Sequence, residues 1–330
     1  MNKLLGILSL CLFAIPSHSA VDPNSHINAG KKLTFTPIDE SPYFDIPVTY
    51  NAEVKKWIKH FQGPGRKWYS IWLKRSHRYL PLMQKALADK GLPQDLAYVA
   101  MIESGFSAKA VSSANAVGYW QFIAATGKRY GLKKDWWIDE RKDFYKSTIA
   151  ASNYLADLYK MFNSWYLSAS AYNMGENRVK RLIKKYKTKN FWVLSRKKDF
   201  PNETKNYIPK LIAALMIAKM PDIYGFKVDQ KLKPYEYEQF YAPGGTDLVN
   251  LAKHLKISKK TLLKINPALL NGFIPKTEKG YWIRIPKGTL VKVSQYMEGQ
   301  LKVAKDDSIK RPQAQSPALQ KAPAQAVSNN

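Results

Sequence analysis

From Ala52 to about Met220 the apolar residues recur at a helical period, which makes a helical scaffold the expectation for this half of the chain. Val54, Trp57, Ile58 and Phe61 fall on one helical face. Leu80, Met83 and Leu87 do the same, and so do Tyr154, Leu155, Leu158 and Phe162. No run of alternating apolar and polar residues competes in this stretch. The stretch reads as helical almost throughout, an all-α domain, with breaks expected at Gly63-Pro64-Gly65, Gly91-Leu92-Pro93, Gly105, Gly127, Gly131, Gly175 and Pro201.

The pattern changes near Pro221–Pro234. Tyr235 to Tyr241 alternates aromatic with polar and reads as a strand. Helices over Asp247–Leu255 and Ser258–Ile265 follow, and Tyr281-Trp282-Ile283-Arg284-Ile285 reads as a second strand. This βααβ unit is expected to fold as a small independent module. The resulting division is an extended N-terminal arm over 21–50, a helical domain over 51–225, a linker over 226–238 and the module over 239–290. A short helix and a disordered tail are expected over 291–330, with too few large apolar residues to fold beyond Ala304.

The first twenty residues read as a secretory signal peptide. Lys3 supplies the positive end, Leu4 to Ile15 the apolar run, and Pro16-Ser17-His18-Ser19-Ala20 a small-residue end with cleavage expected after Ala20. A lipoprotein reading fits less well, because Leu10 precedes Cys11 and the apolar run continues past it. Cys11 is the one cysteine of the chain, so neither an internal disulfide nor a Cys-based zinc site is possible. His18, His26, His60, His77 and His254 never fall at the i, i+4 spacing of a helical metal pair, so no metal and no cofactor are expected.

The formal net charge is +28, and losing Lys3 with the leader lowers it by one. Such an excess suits polyanions, among them carboxylate- and phosphate-bearing cell-wall polymers, although a solvated lysine-rich surface explains it equally well. Export to the periplasm or cell envelope leaves nucleic acid the least fitting partner.

One carboxylate stands out. In Pro93 to Gly105 the ends suit a helix, with Pro93 at its first turn and Gly105 just past its last. Leu96, Val99, Ala100 and Glu103 then share a face, so Glu103 lies on the apolar stripe at a helix C-terminus. Desolvation and the negative helix end both raise a carboxyl pKa, as a general acid near neutral pH requires. For Glu103 alone, an ordinary surface glutamate near a helix end is the stronger reading.

The surrounding set changes that balance. Glu103-Ser104-Gly105-Phe106, Ser112, Gly118-Tyr119-Trp120-Gln121, Ala171-Tyr172-Asn173-Met174-Gly175 and Glu203-Thr204-Lys205-Asn206-Tyr207 occur in order. Together with Arg78-Tyr79-Leu80-Pro81, Gly91-Leu92-Pro93, Gln121-Phe122-Ile123 and Ala125-Thr126-Gly127, this set resembles the lytic transglycosylase catalytic domain of the membrane-bound D type. The resemblance covers roughly residues 55–220. It implies a mainly α, goose-lysozyme-like fold acting on peptidoglycan glycan strands. It further implies Glu103 as sole acid/base, Ser112 (or its neighbour Ser113) near the substrate N-acetyl group, and Gln121 on the glycan beside the acid. Tyr172 and Asn173 would line the cleft opposite the acid, and Tyr207 matches the aromatic of the last motif, with core packing an equal alternative.

Three positions depart from the family pattern. Tyr119 replaces a usual leucine and Met174 a usual alanine, both expected as volume changes at the cleft wall. Asn177 replaces a frequent glycine, and asparagine tolerates a left-handed turn there.

A two-carboxylate hydrolase needs a second acid across the scissile bond. Asp135, Asp139, Glu140 and Asp143 come next after Glu103, on a charged stretch that reads as solvated surface. The family mechanism needs none: Glu103 protonates the bond between N-acetylmuramic acid and N-acetylglucosamine, and a 1,6-anhydro ring closes without water. A hydrolytic muramidase and a non-catalytic peptidoglycan-binding wall protein remain alternatives at this point.

Finally, Gly244-Gly245-Thr246-Asp247-Leu248, Leu251-Ala252, Leu262, Asn266-Pro267 and Ile283-Arg284-Ile285-Pro286 resemble a LysM glycan-binding module. The segment Ala268–Gly280 is longer than that pattern has.

Overall fold

The computed structural model describes residues 43–227 and 233–310, with side chains through residue 300. The signal-peptide reading, most of the N-terminal arm, part of the linker and the tail beyond Lys310 fall outside the described residues.

Nine helices build the first part: α1 (Ala52–Gln62), α2 (Arg66–Ala88), α3 (Ala97–Ser104), α4 (Ala124–Arg129), α5 (Phe144–Phe162), α6 (Trp165–Met174), α7 (Glu176–Tyr186), α8 (Phe191–Leu194) and α9 (Asn202–Lys219). Four of their starts are set by side-chain caps. Asn51, Asp143, Ser164 and Asn190 each accept a hydrogen bond from a first-turn N–H of α1, α5, α6 and α8. The periodic residues of the sequence land inside as expected, with Val54, Ile58, Phe61, Met83, Leu87, Leu155 and Leu158 all buried.

α3 departs from the single-stripe expectation. Ala97 through Ile102 are all buried, because α2 and α9 pack against it. Pro93 stands just before a 3-10 turn, Gln94–Leu96, that leads into this helix. Two further corrections concern the connections. Gly127 lies inside α4 and breaks nothing. Between Gly105 and Asp143 the chain is largely irregular, so helical structure does not run almost throughout as its apolar period implies.

That irregular segment is held by close backbone approaches. Gly105 takes a left-handed conformation (φ 57°), and a Cβ there would sit 2.1 Å from the Trp72 ring. At Gly118 (φ 82°) a Cβ would sit 1.9 Å from the Arg141 carbonyl oxygen. Both glycines let the loop after α3 lie flat on its neighbours.

The second part consists of β1 (Tyr237–Pro243), α10 (Leu248–His254), α11 (Lys259–Ile265), β2 (Gly280–Pro286) and α12 (Leu290–Lys310). The strands pair antiparallel, with Tyr237 opposite Pro286 and Pro243 opposite Gly280. Leu248, Leu251, Leu262, Ile265, Ile283, Ile285 and Val293 form their core. β1 starts two residues later than its alternation implies, and α12 continues past Ala304.

The expectation of an independent module meets a continuous interface. Ile138, from the irregular segment, is buried in the second core. Its neighbours pair with the long segment after α11: Asp139 N–H donates to the Ala268 carbonyl, and Leu270 N–H to the Trp137 carbonyl, each at 2.9 Å. Asp139, Glu140 and Asp143 are therefore not solvated surface but buried at this seam. Asp143 receives two hydrogen bonds from the Arg284 guanidinium, and Glu140 is bonded by Lys146 and by Tyr281 Oη at 2.9 Å. Asp139 is held by Arg141.

Candidate active site

A cavity of about 620 Å³ opens beside the end of α3. It is lined by α1 (Lys56, Trp57, His60), α3 (Ile102, Glu103), the irregular segment (Ser112, Gln121), α6 (Asn173) and α9 (Glu203, Asn206, Tyr207, Lys210). Of the residues named from sequence, Glu103, Ser112, Gln121, Asn173 and Tyr207 meet here.

Glu103 is half-buried, its accessible edge lining the cavity. Burial pushes its carboxyl up to about 7. The Tyr207 hydrogen bond and the Lys210 ammonium oppose that rise, and the nearby Glu203 charge adds to it. Desolvation thus dominates, as the apolar position of Glu103 implies. The helix end matters less, because Lys210 Nζ donates to the Ile102 carbonyl at 2.9 Å and neutralises the C-terminus of α3.

Tyr207 is buried, and its hydroxyl donates to Glu103 Oε1 at 2.6 Å. The contact fixes the carboxyl rotamer and leaves Oε2 as the oxygen available for proton transfer. Burial, then the Glu103 charge, push the Tyr207 phenol well up, so it acts as a donor and not as a phenolate.

Gln121 sits at φ 51°, a left-handed conformation uncommon for a residue with a side chain. Its amide N–H groups donate to the Ala110 and Gly118 carbonyls at 3.2 and 2.9 Å, so its carbonyl oxygen is the group left for a ligand. Ser112 Oγ accepts from Ala116 N–H at 3.1 Å and can still donate its own proton. Asn173 donates to Glu203 at 3.0 Å and accepts from Thr204 Oγ1 at 2.6 Å, a network that holds α6 to α9.

Tyr172 is placed differently. Its hydroxyl donates to the Trp120 carbonyl at 2.8 Å, and its ring packs on Phe122 and Tyr154. It supports the loop that carries Gln121 and is not among the residues lining the cavity. Neither Tyr119 nor Met174 lines it. Tyr119 is buried against Tyr79 and Phe144, a core exchange and not a cleft-wall change. The left-handed turn expected at Asn177 lies instead at Gly175 (φ 87°), while Asn177 is within α7.

Sequence reasoning did not name Lys210, and it gave no role to Glu203 and Ser104 although both stand in the motifs quoted above. Glu203, Tyr207 and Lys210 stand at i, i+4, i+7 on α9, a face legible once Tyr207 is suspected. Burial lowers the Lys210 pKa, while the Glu103 and Glu203 charges act to hold it up. Ser104 Oγ donates to the Tyr119 carbonyl at 2.8 Å and accepts from Ser107 N–H, anchoring the loop that follows the acid. Among the described residues no cluster of His, Cys, Asp and Glu has the form of a metal site, and no helix is long and apolar enough to cross a membrane.

Residues 81–195 match the transglycosylase SLT domain. The chain is 32% identical over 218 residues to membrane-bound lytic murein transglycosylase D of Escherichia coli K12, covering 64% of this chain and 47% of that protein. It is 38% identical over 121 residues to a putative tributyltin chloride resistance protein of Alteromonas sp. M-1, covering 36% of this chain and 58% of that one. The solved 70 kDa soluble lytic transglycosylase of Escherichia coli aligns at 20% identity and a TM-score of 0.39, over 53% of this chain and 31% of its own. The chain spans about half the length of the first of these relatives. It carries a transglycosylase SLT domain homologous to that of membrane-bound lytic murein transglycosylase D.

Proposed function

We propose that this chain is an exported peptidoglycan lytic transglycosylase with Glu103 as its single acid/base. The observation that carries the reading is a half-buried carboxyl, held by the Tyr207 hydroxyl at 2.6 Å and pushed up by burial to about 7, at the wall of a cavity of about 620 Å³. Protonated Glu103 gives its proton to the glycosidic oxygen between N-acetylmuramic acid and N-acetylglucosamine as the C1–O bond breaks. The substrate acetamido oxygen bonds to C1 in the interval, with the Ser112 hydroxyl near that group. The Glu103 carboxylate then takes the proton of the C6 hydroxyl, and O6 closes on C1 as the C1 bond to the acetamido oxygen breaks, giving a 1,6-anhydro end and restoring the acetamido group. Water is neither consumed nor released.

In this reading Tyr207 orients the acid and the Gln121 carbonyl oxygen receives a sugar N–H or O–H. Asn173 shapes the wall opposite, and Tyr172 supports the loop that carries Gln121. The βααβ unit is read as a LysM-like module adding glycan affinity, and the basic surface as contact with anionic wall polymers in the periplasm or envelope. One observation favours a hydrolytic muramidase: Glu203 lines the same cavity and supplies a second carboxylate. Against it, Glu203 is tied to Asn173.

Mass spectrometry of murein digested by the purified protein separates the two. The expected ends are 1,6-anhydromuramic, one water lighter than hydrolytic ends. Reducing, hydrated ends would convert the enzyme to a hydrolase, and an intact polymer would sink the assignment.

A further inference from the structure

The segment packed between the two cores carries a turn closed by Asp135 whose two central residues are both tryptophan. Asp135 N–H donates to the Ile138 carbonyl at 2.8 Å, and Asp135 Oδ1 accepts from Trp137 and Ile138 N–H, both at 2.7 Å. Below it, Glu140 N–H donates to the Lys133 carbonyl at 2.9 Å, and the Leu270–Trp137 bond ties it to the other core. Such turns favour Gly, Asn, Asp, Pro or Ser at the tip, yet here the tip is Trp136-Trp137.

Trp136 is 88% exposed, the most of any large apolar side chain among the described residues. It has neither a ring contact nor a hydrogen bond there. Trp137 is 41% exposed and packs on the Phe273 ring at 4.9 Å, with Leu270 exposed beside them. Neither turn chemistry nor packing accounts for Trp136, and with Trp137 and Leu270 it makes an exposed apolar patch of the kind that marks an interaction site.

We propose that this turn is a glycan-stacking platform outside the cleft. Trp136, with Trp137 and Phe273 beside it, takes the pyranose face of a β-1,4-linked N-acetylated hexosamine strand. The proposal rests on peptidoglycan being the substrate. A tryptophan loses little side-chain freedom on binding, and the turn is already locked by its hydrogen bonds, so little ordering is required. Exposed Lys134, two residues before Trp136, and Lys276, three after Phe273, suit the carboxylates carried by murein stem peptides.

Three rings and a leucine fall far short of the ~800 Å² per partner of a stable protein interface. An anionic bilayer is the alternative that the vesicle arm of the test separates.

The test is sedimentation of the full chain with purified sacculi in a Glu103→Gln background. It is run at about 1 M salt, where the ~3 Å Debye length screens the basic surface. Trp136→Ala is expected to weaken retention about fivefold or more, and Trp136→Tyr, which keeps a ring, to stay within about twofold. Melting temperatures should match, since the ring packs on nothing. Retention unchanged in Trp136→Ala overturns the proposal. So does a lowered melting temperature, or an equal loss of binding to phosphatidylglycerol vesicles, which would make the turn a membrane contact. Because cleavage is absent from this background, missing anhydro ends in a wild-type digest would sink the catalytic reading alone.

Discussion

The Tyr207 hydroxyl donates to Glu103 Oε1 across 2.6 Å, joining residues 104 positions apart in the chain. It stabilises the carboxylate form and so pulls the Glu103 pKa down against its burial. Tyr207→Phe therefore raises that pKa, since a hydrogen bond to a charged group is worth ~1.5–3 kcal/mol and one pH unit is ~1.4 kcal/mol. The alkaline limb of the activity profile should move up by about one to two units, while the plateau falls through loss of orientation. A plateau loss without any shift in the limb would mean that Tyr207 only packs.

Lys210, from the same face of α9 as Tyr207, acts on the same carboxyl. Its ammonium also lowers the Glu103 pKa, by a smaller effect than the hydrogen bond. Lys210→Met should shift the alkaline limb upward by less than Tyr207→Phe, and Lys210→Arg should restore most of the shift. Wild-type position of the limb in Lys210→Met would leave the lysine with only its bond to the Ile102 carbonyl.

Where the sequence was legible, the signal was local. A helical period, a glycine at the end of α3 and an acid on an apolar position depend on neighbours within a few residues; they made Glu103 a candidate, and the resemblance of the surrounding motifs raised it above an ordinary surface glutamate. The run Asp139-Glu140-Arg141-Lys142-Asp143 misled for the same reason. Five consecutive charges read as solvent-facing, because the guanidinium that buries Asp143 lies 141 residues further on. The length of Ala268–Gly280 likewise had no local explanation. Its residues pair with Trp137 and Asp139, so the extra length serves the seam.

The seam gives its own prediction. Arg284 and Asp143 are both buried and doubly hydrogen-bonded. Arg284→Met leaves an unpaired buried carboxylate, which typically costs ~3–5 kcal/mol, whereas pairing it with Asp143→Leu should recover most of the loss. Burial pushes the Asp143 carboxyl up, but Arg284 and the Lys146 amide outweigh this and hold it below the usual range. Its contribution is therefore present above the ordinary carboxylate pKa of ~3.9 and is lost as pH falls through the folded value. Urea unfolding at pH 7 and under pH 4 checks both statements. An Arg284→Met protein as stable as wild type at pH 7 would mean that the two cores fold without this pair.

Glu103 has the opposite sign. Its folded pKa of about 7 stands above the ordinary 4.5, so between those values the native state holds a proton that the unfolded chain has released. Stability must then fall as pH rises through that window, by no more than about 3 kcal/mol. Glu103→Gln keeps the shape and still accepts from Tyr207, yet cannot ionise. At pH 8 it should be more stable than wild type by up to about that amount, and at pH 4 the gap should close. The same substitution should cut turnover by at least ~10²–10⁴-fold, because the proton donor is gone. Paired thermal melts at the two pH values decide the matter. A stability gap that is equal at both would mean that Glu103 does not titrate in this window, and the general-acid role would lose its physical basis.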